Sequence, residues 1–268
     1  MIRVVFNQKG GVGKSSLATN LAAISAQRGV NTLVVDLDPQ CNTTQYLLGE
    51  DVERVEETIR DLFTQNKRAS RIAKEGVSYI VATPYEHLDL IAADAEIADL
   101  QAKLEAKHKI YKLRDALRAM GDYDEIYIDT PPAFNIFTMS ALIAADRCLI
   151  PFDCDDFSRR ALYTLLENVE ETQEDHNPEL VVDGIVVNQF QVRAHLPQSI
   201  VEELHEEGLP LLDTMISQSV KMRESHSASQ PLIHFAPSHK ITQELIALYD
   251  ELHCAKSTAR RREWLASA

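Results

Sequence analysis

Two lysines, Lys9 and Lys14, stand five residues apart around Gly10, Gly11 and Gly13, and two hydroxyls, Ser15 and Ser16, follow at once. Glycines that let backbone approach a ligand, an ammonium beside them and a hydroxyl next in line suit a polyphosphate with its magnesium ion. This is the P-loop pattern G-x-x-x-x-G-K-[ST], in which backbone N–H groups cradle the phosphates, the lysine reaches the β- and γ-phosphates and the hydroxyl binds Mg²⁺. Gln8 stands where the first glycine belongs. Gly10, Gly11, Val12, Gly13, Lys14, Ser15 and Ser16 form the expected cradle, with Lys14 supplying charge and Ser15 the metal ligand. Lys9 is surplus: a second cation upstream has no evident work at the same nucleotide, so its work is expected elsewhere.

Such a loop needs a strand before it and a helix after it. Ile2–Asn7 is a short apolar run rich in β-branched residues, which suits a buried parallel strand. After the loop, Leu17, Leu21 and Ile24 repeat at helical spacing with alanines between them until Gly29 stops the helix. The helix start and the positive end of its dipole then face the phosphate. A glycine-rich turn that matches the motif by chance is the bland alternative, and the flanking elements argue against it.

Two further segments carry carboxylates. Asp36 and Asp38 end the apolar run Thr32–Val35, at the carboxyl edge of a parallel sheet, where open α/β folds bind ligands. Two carboxylates beside a triphosphate need a reason: either Mg²⁺ lies between them, or one holds the attacking water. An Asp-Pro turn with Asp38 capping a helix is the structural alternative. Asp129 follows Ile126-Tyr127-Ile128 and precedes Pro131 and Pro132, a Walker-B arrangement in which an aspartate holds Mg²⁺, here through a water. Phosphoryl transfer of this kind depends on positioning and charge neutralisation, so no histidine or cysteine is required.

The loop, the segment Val34-Val35-Asp36-Leu37-Asp38-Pro39-Gln40 and the segment Ile126–Pro132 together resemble the ParA/MinD family of deviant Walker-A ATPases. The Asp-x-Asp-Pro-Gln form, followed by Asn42 and Thr43, is closer to ParA-type partition ATPases than to MinD. The resemblance runs from Ile2 to about residue 250, strong at the three motifs and weaker between them. It implies ATP and Mg²⁺ as cofactors, with Lys9 reaching across a homodimer interface to the partner's nucleotide. It also implies that Asp38 orients the attacking water beside the metal held by Ser15 and Asp129, while Asp36 shapes the magnesium surroundings. By the same resemblance Asn188 hydrogen-bonds adenine and the loop around Pro237 packs on the base. An asparagine at a strand end is also simply a good turn residue.

The 268 residues, 45% hydrophobic and 25% charged, describe a globular α/β chain within the range of one core. The expected division is a single ATPase domain over 1–253 and a basic tail over 254–268. No apolar run approaches the ~20 residues of a membrane helix. The N-terminus enters a strand directly, so no signal peptide is expected. Cys41, Cys148, Cys154 and Cys254 lack C-x-x-C spacing, which fits a reduced, cytoplasmic protein and weighs against iron–sulfur relatives. Cys41 reads as a small packed residue. Strands are expected at 77–83, 88–92, 148–152, 181–188 and 211–216. Helices are expected at 94–120 (with Leu100, Leu104, Leu113 and Leu117 on its inner face), 136–145 and 158–174, with two or three more beyond Leu196. The sum is a doubly wound, mainly parallel sheet with helices on both faces.

The resemblance further implies non-specific binding of nucleoid DNA by the ATP dimer and release when a ParB-like or adaptor partner stimulates hydrolysis. The formal net charge of −14 opposes a polyanion at long range, but unevenly: 8 Lys/Arg against 10 Asp/Glu from Gln189 to Ala268 leave −12 for residues 1–188. Arg193, Lys221 and Arg223 fall where the family carries DNA contacts. Scattered surface cations that solvate helices are the bland reading. The tail Arg260-Arg261-Arg262-Glu263-Trp264-Leu265 raises a rival, a membrane-bound MinD-like regulator. One Trp-Leu pair, however, is a small apolar face, and membrane binding is not expected. A third reading is a biosynthetic ATP-dependent ligase of the same fold, for which no substrate constellation is evident. Residues 151–160 are more acidic than the corresponding ParA stretch, which leaves the cargo open among plasmid, chromosome and protein assembly.

Overall fold

The computed structural model describes residues 1–64, 79–106, 109–154, 158–191 and 195–254, without the side chains of 158, 159 and 195–197. Among the described residues seven strands form one sheet: β1 (Ile2–Val5), β2 (Thr32–Asp36), β3 (Ile80–Ala82), β4 (Leu88–Ile91), β5 (Glu125–Asp129), β6 (Arg147–Asp153) and β7 (Val181–Asn188). Their order is β3-β4-β2-β5-β1-β6-β7, parallel throughout except for the antiparallel β3–β4 pair at the edge. The chain leaves β1 toward the β2 side and leaves β6 toward β7, in opposite directions. The crevice between these neighbours is the switch point where doubly wound sheets bind ligands.

Strand side chains alternate between two cores. Val4, Val35, Ile126, Ile128, Cys148 and Ile150 face one, closed by α5 (Lys112–Ala119), α6 (Ile136–Ala144) and α7 (Ser158–Asp175). Val5, Val34, Tyr127, Leu149 and Val186 face the other, closed by α1 (Lys14–Gln27) and α11 (Lys240–His253). Leu17, Leu21 and Ile24 of α1 are almost wholly buried there. Each such side chain contributes ~1.5–3 kcal/mol relative to exposure, so the helix behind the P-loop is held by its packing.

The expected elements recur with three local differences, and among the described residues four helices follow β7 where two or three were expected. Residues 94–120 are not one helix: a 3₁₀ turn (Ala95–Leu100) leads into α4 (Gln101–Ala106), and α5 begins only at Lys112. The reason lies in the spacing. Leu104 and Leu113 are nine residues apart, about half a revolution in a continuous helix. Breaking the helix lets Leu100, Leu104, Leu113 and Leu117 all face the core, where all four are buried. Leu211–Ile216 is not a strand either, but single bridges from Leu211 to Ile185 and from Ser217 to Phe190. Between them Asp213 and Thr214 donate their N–H groups to the Glu251 carboxylate (2.8 and 2.9 Å), away from β7. Finally, the strand expected at 77–83 is described only as β3, residues 77 and 78 lying outside the described residues.

The remaining helices are α2 (Asn42–Leu48) and α3 (Ile59–Thr64) after β2, and α8 (His195–Glu206), α9 (Val220–Ser227) and α10 (Leu232–Phe235) after β7.

Candidate active site

The loop leaves β1 through Asn7, a buried residue whose Nδ2 donates to the Pro151 carbonyl (2.7 Å) and whose Oδ1 accepts the Lys9 N–H (2.8 Å). The two lysines then part. Lys14 is buried, and its Nζ donates to the Lys9 carbonyl (2.9 Å) across the mouth of the loop. The Lys9 ammonium pairs with Asp153 Oδ2 at the end of β6 (3.3 Å), with both side chains about a third exposed (31% and 33%). Burial pushes the Lys14 pKa below its ordinary value, and the charges of Asp129 and Asp38 act against that shift.

Gly13 caps α1 with φ +91°, and a Cβ there would lie 2.2 Å from Asn188 Nδ2. Any side chain there is strained at that φ and forces the Asn188 amide to move. The same Nδ2 donates to the Val12 carbonyl (2.7 Å), and Gln189 Nε2 donates to the Gly11 carbonyl (2.6 Å). The end of β7 therefore fixes the loop from outside.

Asp36 and Asp129 are adjacent across the β2–β5 ladder, wholly buried. Asp36 Oδ1 accepts the Asp38 N–H (3.0 Å), and its Oδ2 accepts both the N–H and the hydroxyl of Thr44 (2.9 and 2.8 Å). Asp129 Oδ2 accepts the Thr43 hydroxyl (2.8 Å), and the nearby Ser15 hydroxyl joins Thr43 in opposing the upward effect of burial on this carboxyl. Asp38 accepts the Gln40 N–H (2.9 Å). Burial raises the pKa of all three carboxyls; the charge of Asp129 adds to the effect on Asp36, whereas Gln40 N–H and Lys14 oppose it at Asp38. Two of these carboxyls, Asp129 and Asp38, act on the one buried ammonium, and their raised pKa values mark a site where added positive charge would favour their ionised forms. Among the described residues Asp129 Oδ1 is buried with no hydrogen-bond partner. That orphaned oxygen, beside the Ser15 hydroxyl, fits Mg²⁺ or one of its waters, since magnesium keeps several waters and uses one or two carboxylates plus phosphate.

Two cavities open on the loop. One, of about 450 Å³, is lined by Gly10, Lys14, Ser15, Asp38, Gln40 and Asn42, among others. The other, of about 530 Å³, extends past Gly11 and Ser16 to Asn188, Ser217, Arg223 and Ile241. The first suits phosphates and the second a nucleoside. Pro237 is exposed between α10 and α11, its carbonyl accepting Gln243 Nε2 (2.9 Å). It is not among the residues lining these cavities. Cys41 caps α2 in a left-handed conformation, and burial with nearby Asp36, Asp94 and Asp38 pushes its thiol up to about 11. It is no thiolate.

Of the cations expected to contact DNA, Arg223 is exposed on α9. Lys221, on the same helix, pairs with Glu224 (2.6 Å) and lies over the Phe235 ring. Arg193, the acidic residues at 155–156 and all of the 254–268 tail beyond Cys254, with Arg260–Arg262, lie outside the described residues. Among the described residues no helix is long and apolar enough to cross a membrane.

Several site residues escape a sequence reading. Thr44 binds Asp36, and Asn7 ties the loop to β6; both are polar residues at element ends, which is a weak signal. His226, 210 positions from its partner Ser16, gives none at all.

Fold and site together define a P-loop NTPase whose loop is of the deviant Walker-A type. A family model described as an AAA domain matches residues 1–182. The chain is 31% identical over 264 residues to the chromosome partitioning protein ParA of Caulobacter vibrioides (strain NA1000 / CB15N), covering 96% of this chain and 90% of that one. It is likewise 31% identical over 254 residues to the sporulation initiation inhibitor protein Soj of Bacillus subtilis (strain 168), covering 94% and 97%. Among solved structures, cobyrinic acid a,c-diamide synthase from Mycobacterium smegmatis, with bound ADP and magnesium, superposes with a TM-score of 0.73 at 26% identity, over 89% of this chain and 96% of that one. The chain belongs to the family of ParA-type partition ATPases.

Proposed function

We propose that this ATPase is a dimerising switch: it binds Mg-ATP, pairs with a second copy, holds DNA without sequence preference as the dimer, and lets go on slow hydrolysis stimulated by a ParB-like or adaptor partner. ATP and Mg²⁺ are its cofactors. Lys14 and the loop N–H groups hold the β- and γ-phosphates, Ser15 and Asp129 hold the metal, and Asp38 orients the attacking water. Bound Mg²⁺ supplies charge neutralisation at the phosphates. The adenine contact falls to Asn188 Oδ1, because its Nδ2 is committed to Val12; Pro237 is the flanking residue of the base pocket. The nucleoid is the expected location, with plasmid, chromosome or a protein assembly as cargo.

One observation carries the reading. The two lysines of one loop have different surroundings: Lys14 is buried and lines the phosphate pocket, whereas Lys9 pairs with Asp153 where both side chains are partly exposed. A rim ammonium suits a partner's nucleotide. Light scattering with ATP tests it: Asp38→Ala should give a long-lived ATP dimer and Lys9→Ala only monomer, while Lys9→Ala still binds ADP. A Lys9→Ala protein that dimerises normally would remove the cross-subunit role.

The likeness to a diamide synthase supports a second reading, ATP-driven carboxylate activation. ATP turnover that absolutely requires a small carboxylate metabolite, with no response to DNA, would select it.

A further inference from the structure

His226 is the one side chain outside the P-loop that borders both cavities; the other residues common to them are Gly11, Gly13 and Ser16. A nucleotide that fills the phosphate pocket and extends into the nucleoside pocket passes between the loop and this imidazole. Its Nε2 lies 2.9 Å from Ser16 Oγ, and its ring stacks on Tyr46 (3.9 Å between centroids, 21° between planes). Burial lowers its pKa, so the ring is neutral near pH 7 and offers one donor and one acceptor nitrogen.

The helix that carries it, α9, is docked on the two elements that hold the nucleotide. On α1, Asn20 Nδ2 donates to the Ser16 carbonyl (2.8 Å) and to Tyr46 Oη (3.2 Å), with Met222 Sδ at 3.8 Å. On α2, Tyr46 Oη pairs with Ser225 Oγ (2.6 Å). Thr43 and Thr44, at the start of that same α2, bind the metal-site carboxylates Asp129 and Asp36. Lys221 and Arg223 stand on the same two-turn helix as His226.

We propose that His226 contacts bound nucleotide where its phosphates join the nucleoside, and that this contact positions α9, so that nucleotide occupancy reaches the Lys221–Arg223 surface through His226. The Ser16–His226 hydrogen bond is the contact that the nucleotide replaces or reshapes. Tyr46 supplies the second link, from the metal-site carboxylates to Ser225. His226 is thus a nucleotide contact and a positioning residue, and the hydrolysis machinery itself is separate. The output half of the proposal rests on α9 being the DNA-facing helix.

Two measurements on the full chain test the two halves. In ¹H–¹³C spectra of the histidine rings, with the His226 signal assigned by its disappearance in His226→Gln, addition of Mg-ADP should move that signal strongly. A signal unmoved by saturating Mg-ADP overturns the contact. Duplex DNA affinity is then compared in saturating Mg-ATPγS and without nucleotide. Wild type should show a large ratio, His226→Ala a ratio at least ~5-fold smaller, and His226→Gln, which retains a hydrogen-bonding side chain, an intermediate one. An unchanged ratio in both variants overturns the coupling. Lys221→Ala/Arg223→Ala separates the assumptions: if it binds DNA like wild type, the DNA-facing assignment of α9 fails and the coupling with it, while the ring-shift result decides the contact alone. Should His226→Ala not fold, His226→Gln and the wild-type spectrum carry the test.

Discussion

A methyl group is the sharpest probe of the loop. At Gly13 an added Cβ meets both a left-handed φ and Asn188 Nδ2 at 2.2 Å, so the loop or the end of β7 must shift. Strain of this kind costs ~1–3 kcal/mol, and it falls on the residues that aim the backbone N–H groups at phosphate. Gly13→Ala should therefore weaken ADP binding by at least ~10-fold in calorimetry, with a loss in Tm of only a few degrees. At the rim the argument runs the other way. The Lys9–Asp153 pair is partly exposed, and such pairs contribute at most ~1 kcal/mol. Asp153→Asn should leave the urea midpoint almost unchanged. It also removes one anionic partner of the ammonium that the ATP dimer is proposed to recruit, so the concentration for half-dimerisation in ATP should fall by a few-fold in sedimentation. A rise would mean that Asp153 works at the interface and does not hold Lys9 back.

At the scale of elements, α2 is the link between sheet and switch, since Thr43 and Thr44 bond the carboxylates at the ends of β5 and β2. Thr44→Val keeps shape but takes one donor from wholly buried Asp36 and the hydroxyl that accepts the Ala93 N–H (2.9 Å). Leaving buried groups unsatisfied costs ~1–3 kcal/mol each, and urea denaturation should show a loss in that range. This helix illustrates what a sequence discloses. The P-loop, Asp38 and Asp129 were legible because each motif is local and sits at a strand end, and the sheet was legible because Val, Ile and Leu runs mark buried parallel strands. The bonds of Thr44 to Asp36 were not, because nothing in a threonine says which carboxylate it will meet. The break between Leu104 and Leu113 is legible in principle from their half-turn offset, although four leucines at near-helical spacing suggest one inner face. Asp213 and Thr214 look like strand in the sequence because the side chain that diverts their backbone, Glu251, lies 37 or 38 residues away. His226 required the fold: its role comes from α9 crossing the starts of α1 and α2.

For the whole molecule, charge sets the conditions of function. With a formal net charge of −14, DNA binding must come from a local patch. Each cation that neutralises a phosphate contributes about 0.9 to the salt slope. Arg223→Ala should thus reduce the slope of log affinity against log salt by about 2 in an ATP dimer, one unit per subunit. An unchanged slope would exclude Arg223 from the DNA surface. Proton linkage gives the other molecule-wide reading. Burial raises the pKa of Asp36 and Asp129, so the folded apo protein holds protons that the unfolded chain has already released. Their contribution is complete below the ordinary carboxylate range and is lost as pH climbs through the raised folded values. Half-buried His226 and His234, whose pKa values are lowered, act oppositely: they make stability rise with pH up to their unfolded value of ~6.5 and are silent above it. Glu125, held down to about 2 against its burial by His253, matters only in acid. Above pH ~7 the raised carboxyls lower stability, while Lys112, whose pKa burial brings down to about 8, raises it over the same interval. The Asp36 part is therefore read as a difference: from pH ~7 to ~8.5 the apo wild-type Tm should fall relative to that of Asp36→Asn, which cannot titrate there, and Mg-ADP should reduce that relative fall, because a cation at the site stabilises the ionised carboxylates. An Asp36→Asn profile parallel to wild type would show that the buried carboxyl at the end of β2 is already ionised in the apo protein.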